Sequence, residues 1–413
     1  MIKSETCLLK NGVRLVMCED KTKNKTFMQI TVKYGGLNKK FKYDGVEYEI
    51  KPGTAHLLEH TLVENSIYGN LFDYLKEEYV TTNATTSPKT TSFYMDTVEN
   101  AMRHLVELIK VVNITNFNDD VLNQTKKPVL EEIRRGQDRA YEEFNIASIN
   151  TLLVNNTFIN NLGSANDINS ITSSELKFIH DVFYIPSNQT IAISGNFDIE
   201  EVKKLVTDTY NEINITNHEF EILDLHEENS ISKDFVHIIK PDLDEIVRIS
   251  FKVNISSFSP KDRVKLSFYG SYFLEYNFND SSDIFKTIKK ENLSPYSVGK
   301  SINMIYDDYL IISFSLYGNN VERFKTLVLD IINKKPFDEE MFNLMKKQSI
   351  IELINRNDHC SRMLSPFLSN VLEFNYYDID RISDIEEFTK EEYMSFLNSL
   401  DFTNYSISIQ TKE

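Results

Sequence analysis

The chain repeats itself, and this limits what it can fold into more than its composition does. Phe117-Asn-Asp-Asp-Val121 returns as Phe337-Asp-Glu-Glu-Met341, and at the same offset of 220 residues Lys126, Lys127, Glu132 and Asp138 return as Lys346, Lys347, Glu352 and Asp358. Just upstream, Val98-Glu99 and the apolar stretch behind it match Val321-Glu322 at a slightly different offset. A duplicated chain of 413 residues has room for two domains, each with a full core. The expected division is 1–215 and 234–413, joined across 216–233, a stretch rich in Asn, Glu and Asp and poor in aromatics.

Each copy reads as strands mixed with helices. In the first, Leu8, Leu9, Val13, Leu15 and Val16 flank Asn11-Gly12 in a strand, turn, strand pattern, and further strands are expected at 27–32, 91–98 and 190–193. Helices are expected near 55–64, 70–79, 98–112 and 119–143, with Pro128 predicting a late start or a kink in the last of these. Helices follow hairpins rather than alternating with single strands. The fold class is therefore α+β: two similar domains, each a mainly antiparallel sheet with helices packed on one face.

The net charge of −17, with no Lys/Arg block among interleaved aromatics, argues against a nucleic-acid partner. No apolar run approaches the roughly twenty residues of a membrane span, and no signal segment precedes the first strand pattern, so a cytoplasmic protein with no membrane association is expected. Cys7, Cys18 and Cys360 have no metal-type spacing and are read as reduced side chains.

Residues 56–60 read His-Leu-Leu-Glu-His. On a helix, imidazoles four positions apart share a face and can hold one zinc, leaving Glu59 free as a base. Pro52-Gly53-Thr54 supplies a helix start, and Ala55, Leu57, Leu58 and Leu62 give the segment apolar positions to bury. A third protein ligand should come from another element, and Glu131 and Glu132, in Val129-Leu-Glu-Glu-Ile133, are both candidates. In the second copy Tyr276 stands where His56 would recur, with no histidine pair near it, so only the first copy can hold the metal. The remaining histidines show no ligand spacing and are read as structural or exposed.

Gly53-Thr-Ala-His-Leu-Leu-Glu-His60, then Asn83-Ala-Thr-Thr-Ser87 with Thr91 and Tyr94, then Val129-Leu-Glu-Glu-Ile133, resembles the M16 (pitrilysin and mitochondrial processing peptidase) metallopeptidases. Phe183-Tyr184 through Gly195-Asn-Phe-Asp198 is similar to the strand that closes that family's first domain, and the length resembles the shorter bacterial branch, whose subunits pair to close a chamber. The resemblance implies that the distal zinc ligand is Glu132, the Glu directly before the Ile. It implies that Asn83, Ala84 and Thr85 lie on an edge strand where substrate adds as a further strand. Thr125 stands where the family usually carries a second Glu, seven residues before the ligand.

Lys289 to Val298 resembles the segment in which an Arg and, seven residues on, a Tyr complete a facing subunit's site. Here Tyr296 is present but Lys289 replaces the Arg, and a lysine supplies charge without the bidentate fork. The resemblance thus implies a zinc endopeptidase subunit with Glu59 as base, cutting peptides or unfolded segments in a chamber shared with a second subunit, possible work for it being maturation of a precursor peptide. The partner expected is a related subunit in a heterodimer, with a homodimer as the alternative. The alternative function is a non-catalytic assembly or substrate-capturing subunit.

Overall fold

A computed structural model describes residues 2–137, 140–155, 161–223, 226–306, 308–375 and 381–413. The first half of the chain contributes β1 (Lys3–Leu8), β2 (Arg14–Glu19), β3 (Thr26–Val32), β4 (Lys40–Tyr43), β5 (Val46–Glu49), α1 (Thr54–Glu64), α2 (Leu71–Tyr74), β6 (Val80–Thr86) and β7 (Thr91–Thr97). It continues with α3 (Ala101–Asn113), α4 (Asp119–Gln137), α5 (Glu142–Asn150), α6 (Ala165–Ser170), α7 (Ser173–Phe183), β8 (Gln189–Gly195), α8 (Ile199–Ile213) and β9 (Phe220–Ile222). The second half adds β10 (Phe235–Ile239), β11 (Ile246–Asn254), α9 (Pro260–Phe278), α10 (Asp283–Lys290), β12 (Gly299–Tyr306), β13 (Tyr309–Tyr317) and α11 (Val321–Lys334). It ends with α12 (Glu339–Arg356), α13 (Cys360–Phe374), α14 (Arg381–Glu387), α15 (Lys390–Ser399) and β14 (Tyr405–Thr411).

These elements gather into two compact units that do not follow the sequence in order. The first takes residues 1–138, 159–225 and 354–379, and the second takes 139–158, 226–353 and 380–413. So α5, from the first half, belongs to the second unit, and α13, from the second half, belongs to the first.

In the first unit the strand order is β1-β2-β8-β3-β7-β6, antiparallel except for the parallel β2–β8 pair. Successive side chains of a strand face opposite sides. Leu15, Met17, Met28, Ile30, Ile191 and Ile193 therefore look one way, into a core shared with α1, α3 and α8. Val16, Cys18, Phe27 and Ala192 look the other way, onto Cys360, Met363, Leu364 and Leu368 of α13. Covering both faces explains why β8 is buried along its whole length and β2 is buried over Leu15–Cys18. The α+β reading holds, and α13 adds a helix on the face expected to be bare.

The second unit repeats the plan. Its order is β10-β14-β11-β13-β12, again with one parallel pair, β10–β14, in the place of β2–β8. One face packs on α9, α11 and α15 around Ile249, Phe251, Phe314 and Tyr272. On the other, Arg248 lies 4.8 Å from the Phe144 ring of α5, and Ser408 donates to Ser148 Oγ at 3.1 Å. The repeat extends to single hydrogen bonds. Asn118 Oδ1 accepts from Val121 N at 2.9 Å at the start of α4, and Asp338 Oδ1 accepts from Met341 N at 2.7 Å at the start of α12. Lys126 Nζ donates to Asn169 O and Ile171 O at 3.0 and 2.7 Å; Lys346 Nζ donates to Glu386 O and Phe388 O at 2.6 and 2.8 Å.

Several local expectations need correction. The helix expected over 70–79 is one turn, Leu71–Tyr74, and the chain reverses through Tyr79 at a φ of 53° before β6. The helix expected over 119–143 is two helices assigned to different units, and residues 138–139 between them lie outside the described residues. α4 runs through Pro128 without a late start, so the Gln124 carbonyl loses one helical donor. Within 216–233, Phe220–Ile222 pairs with β4 in a small β5-β4-β9 sheet, and Glu227 is buried in the second unit with Lys252 Nζ 2.9 Å away; residues 224–225 lie outside the described residues.

Candidate metal centre

α1 starts where two stretches of backbone cross too closely for any side chain. Gly53 has a φ of 82°, and a Cβ on it would lie 2.3 Å from Leu162 O; Gly163, at φ 70°, would place one 2.5 Å from Pro52 O. Glycine satisfies both conditions, the left-handed backbone and the missing volume. From this crossing α1 runs buried on nearly every side, including Leu57, Leu58, Thr61 and Leu62, so its polar residues sit at fixed positions. His56 and His60 lie one turn apart and meet edge-on, with ring centroids at 4.6 Å.

α4 buries Leu122, Thr125, Val129 and Ile133, a helical stripe that packs it against α1. This brings Glu132 to the imidazoles. Its Oε2 lies 3.3 Å from His56 Nε2 and 3.7 Å from His60 Nε2, and one ligand atom from each residue falls within 4.8 Å of the others. Glu131 turns outward to an ion pair with Arg134 at 2.9 Å. Of the two carboxylates that spacing left open, the fold brings Glu132 to the histidines. Two imidazoles and one carboxylate are a donor set that suits zinc with an open fourth position.

Burial, reinforced by the neighbouring His60, pushes the His56 pKa down to about 3, so this ring is neutral, the form in which an imidazole ligates a metal. For His60, burial works against the charged ring, but a hydrogen bond to Glu64 and the charges of Glu59, Glu64 and Glu132 outweigh it and raise the pKa. The contrast follows from His60 Nδ1 lying 2.9 Å from Glu64 Oε1, whereas His56 Nδ1 is buried with no hydrogen-bond partner. Glu59 is buried, and desolvation raises its pKa against the opposing pull of a 2.6 Å hydrogen bond from Thr86 Oγ1. A carboxylate so placed takes a proton more readily than an exposed one.

Thr125 is fully buried. Its hydroxyl accepts from Asn65 Nδ2 at 2.9 Å and donates to Val121 O at 3.1 Å, tying the end of α1 to α4. Residues 83–85 lie in β6, an outer strand of the six-stranded sheet. Asn83 and Thr85 are exposed, Ala84 is half-buried toward the core, and Thr86, at the end of the strand, reaches Glu59. Sequence reasoning missed Thr86 and Glu64. Glu64 was visible as a carboxylate four residues beyond His60, the helical spacing at which side chains meet; the reach of Thr86 depends on strand register and was not.

Lys289 and Tyr296 belong to the second unit. Lys289 lies in the last turn of α10, with Nζ donating to Pro295 O at 2.6 Å, while Tyr296 is 55% exposed, its ring 5.1 Å from that of Tyr317. The other histidines whose contacts are described serve structure: His104 bonds Glu107 at 2.8 Å, His180 the Val112 carbonyl at 2.9 Å, His218 the Val182 carbonyl at 3.0 Å and His237 Thr411 at 2.7 Å. Among the described residues no helix is long and apolar enough to cross a membrane.

Residues 16–164 match the family profile "Insulinase (Peptidase family M16)", and residues 170–349 match "Peptidase M16 inactive domain". The chain is 27% identical over 197 residues to the uncharacterized zinc protease YmfH of Bacillus subtilis (strain 168), covering 47% of this chain and 46% of that protein. It is 25% identical over 214 residues to the zinc protease PqqE of Helicobacter pylori, covering 49% and 46%. The matched segments thus span about half the length of these curated relatives. In fold it is similar to an M16-like peptidase from Alicyclobacillus acidocaldarius, with a TM-score of 0.87 at 17% identity over 99% of this chain and 98% of that one. A protease from Helicobacter pylori gives a TM-score of 0.79 at 20% identity over 99% of both chains. The two profiles together take in most of the chain, and the chain belongs to the M16 peptidase family.

Proposed function

We propose that this chain is a zinc-dependent endopeptidase subunit that cuts peptides or unfolded segments in a chamber shared with a second, related subunit. The observation that carries this reading is the convergence of His56 Nε2, His60 Nε2 and Glu132 Oε2, with a buried carboxylate, Glu59, on the same helix between the two histidines. A zinc ion held by these three would supply a Lewis acid and an acidified water. The chain's own groups do the rest. Glu59, made more basic by burial, accepts the water proton and returns it to the departing amine, and the Thr86 hydroxyl holds one oxygen of that carboxylate in place.

Because β6 is an outer strand, its outward main-chain groups can pair with an extended peptide, and Thr86 puts one end of that strand at the base. Main-chain pairing recognises an extended conformation and reads few side chains, which fits a broad range of peptides. The relatives named as zinc proteases support the same reading. The test is metal content together with cleavage of an unstructured peptide. The purified chain should carry about one zinc, His60→Ala should lose most of it, and Glu59→Gln should keep the zinc while hydrolysis falls by roughly 10²–10⁴-fold. Full hydrolysis by Glu59→Gln removes the proposed base and the mechanism with it.

A further inference from the structure

We infer that Glu64 is the positioning residue of this metal centre: through His60 Nδ1 it fixes which nitrogen of that ring faces the metal and how firmly the ring is held. This deepens the zinc reading of His56, His60 and Glu132 and rests on it. Three observations carry it. Glu64 Oε1 lies 2.9 Å from His60 Nδ1, and the two residues share one face of a buried helix at a spacing of four, so the pair is set by the helix and needs no loop to close. A carboxylate behind an imidazole accepts a hydrogen bond from Nδ1–H, which keeps the proton on Nδ1, leaves the Nε2 lone pair pointing the other way, and makes Nε2 a better metal ligand. The Nε2 side of His60 is where Glu132 stands, 3.7 Å away.

The second observation is the asymmetry between the rings. His56 Nδ1 is buried without a hydrogen-bond partner, so among the described residues the outer support of the centre falls on His60 alone. The third is the state of α4. By resemblance a Glu would stand at position 125, but the residue is Thr, and its hydroxyl is already engaged by Asn65 and by the Val121 carbonyl. The carboxylate that supports a ligand is on α1, and Thr125 of α4 joins the two helices.

The test measures zinc affinity of the full chain by competition with a chromophoric chelator, for the wild type, Glu64→Gln, Glu64→Ala and the control Glu131→Gln, whose side chain faces away from the centre. Wild type and Glu131→Gln should bind one zinc with equal affinity. Glu64→Gln keeps an acceptor oxygen but no charge and should bind roughly tenfold more weakly, and Glu64→Ala should approach a hundredfold. With cobalt in place of zinc, the visible bands should shift in both Glu64 variants and stay unchanged in the control. Thermal melting of the metal-free proteins separates this from a folding defect, because Glu64→Gln is isosteric and should melt with the wild type. Zinc affinity in Glu64→Gln and Glu64→Ala within twofold of wild type overturns the inference and leaves the zinc reading standing. Failure of the wild type to bind zinc overturns both.

Discussion

In the first unit α4 is capped by Asn118, anchored by Lys126 and carries Glu132 against two imidazoles of α1; in the second, α12 is capped by Asp338, anchored by Lys346 and carries an exposed Glu352. Where His56 would recur, Tyr276 stacks on Tyr272 at 5.7 Å, and Tyr272 in turn meets Phe342 and Tyr393 edge-on at 4.9 Å each. The same scaffold bonds therefore hold a corner that is polar in one unit and aromatic in the other. This separates what builds the corner from what it does. Caps and lysine anchors act on main-chain groups, which a duplication copies regardless of side chains. A buried imidazole pair costs desolvation that a carboxylate and a bound cation can offset, whereas an aromatic cluster is self-sufficient.

The comparison predicts unequal outcomes for equal substitutions. Glu132→Gln should weaken zinc binding by more than the roughly 100-fold typical of losing an outer partner, and peptide hydrolysis should fall with it. Glu352→Gln, the same change at the repeated position, should leave both within twofold. Metal titration and peptide cleavage on the two variants decide the point; a loss of zinc in Glu352→Gln would mean that the two corners are not chemically distinct.

Packing should show the opposite bias. Tyr272 is fully buried, and its hydroxyl donates to Asp338 O at 2.8 Å. Tyr272→Ala should cost about 3–5 kcal/mol in urea unfolding and leave zinc stoichiometry in the surviving folded protein unchanged. A cost under about 1 kcal/mol would show that the second corner is not held by its aromatics. The anchors should instead behave alike. Lys126→Met and Lys346→Met each remove a charged donor from two carbonyls and should each cost about 1.5–3 kcal/mol. A difference above about 1 kcal/mol between them would break the equivalence of the two anchors.

Legibility followed the range of the interactions involved. Local signals gave α1, from Pro52-Gly53 and the histidine spacing, and the runs that became β3, β7 and β8. The repeat gave the correspondence of α4 with α12. What sequence did not show was decided by distant partners. Nothing within 119–143 says that the chain changes units between α4 and α5, and the apolar residues of α13 look like any other helix face until β2 and β8 are placed beneath them. The polar stretch 216–233 hides β9 because a three-residue strand is made by its partner, β4, more than by its own propensity. At the site, the histidines and both candidate carboxylates were readable, and the choice of Glu132 over Glu131 matched the resemblance; the link from Thr86 to Glu59 crosses 27 residues of chain and needed the register.

The smallest expected effect bears on the partner. The first unit brings a complete set of candidate metal ligands together, whereas the second has a lysine at 289 whose ammonium is engaged by its own neighbour, the Pro295 carbonyl at 2.6 Å, and lies 5.1 Å from the Phe285 ring. An ammonium held in this way, and without a planar fork, is a poor substitute for an arginine on a substrate carbonyl. We therefore expect Tyr296 and Lys289 to be idle, with a related subunit supplying the facing groups in a heterodimer. On that view Tyr296→Phe should change peptide cleavage by less than about twofold, because the hydroxyl it removes meets no reacting atom, and the isolated chain should cleave weakly until a related subunit is added. Strong cleavage by the isolated chain that falls roughly tenfold or more in Tyr296→Phe would instead assign the facing role to this chain's own second unit, and the protein would be a homodimer that completes its site with a second copy of itself.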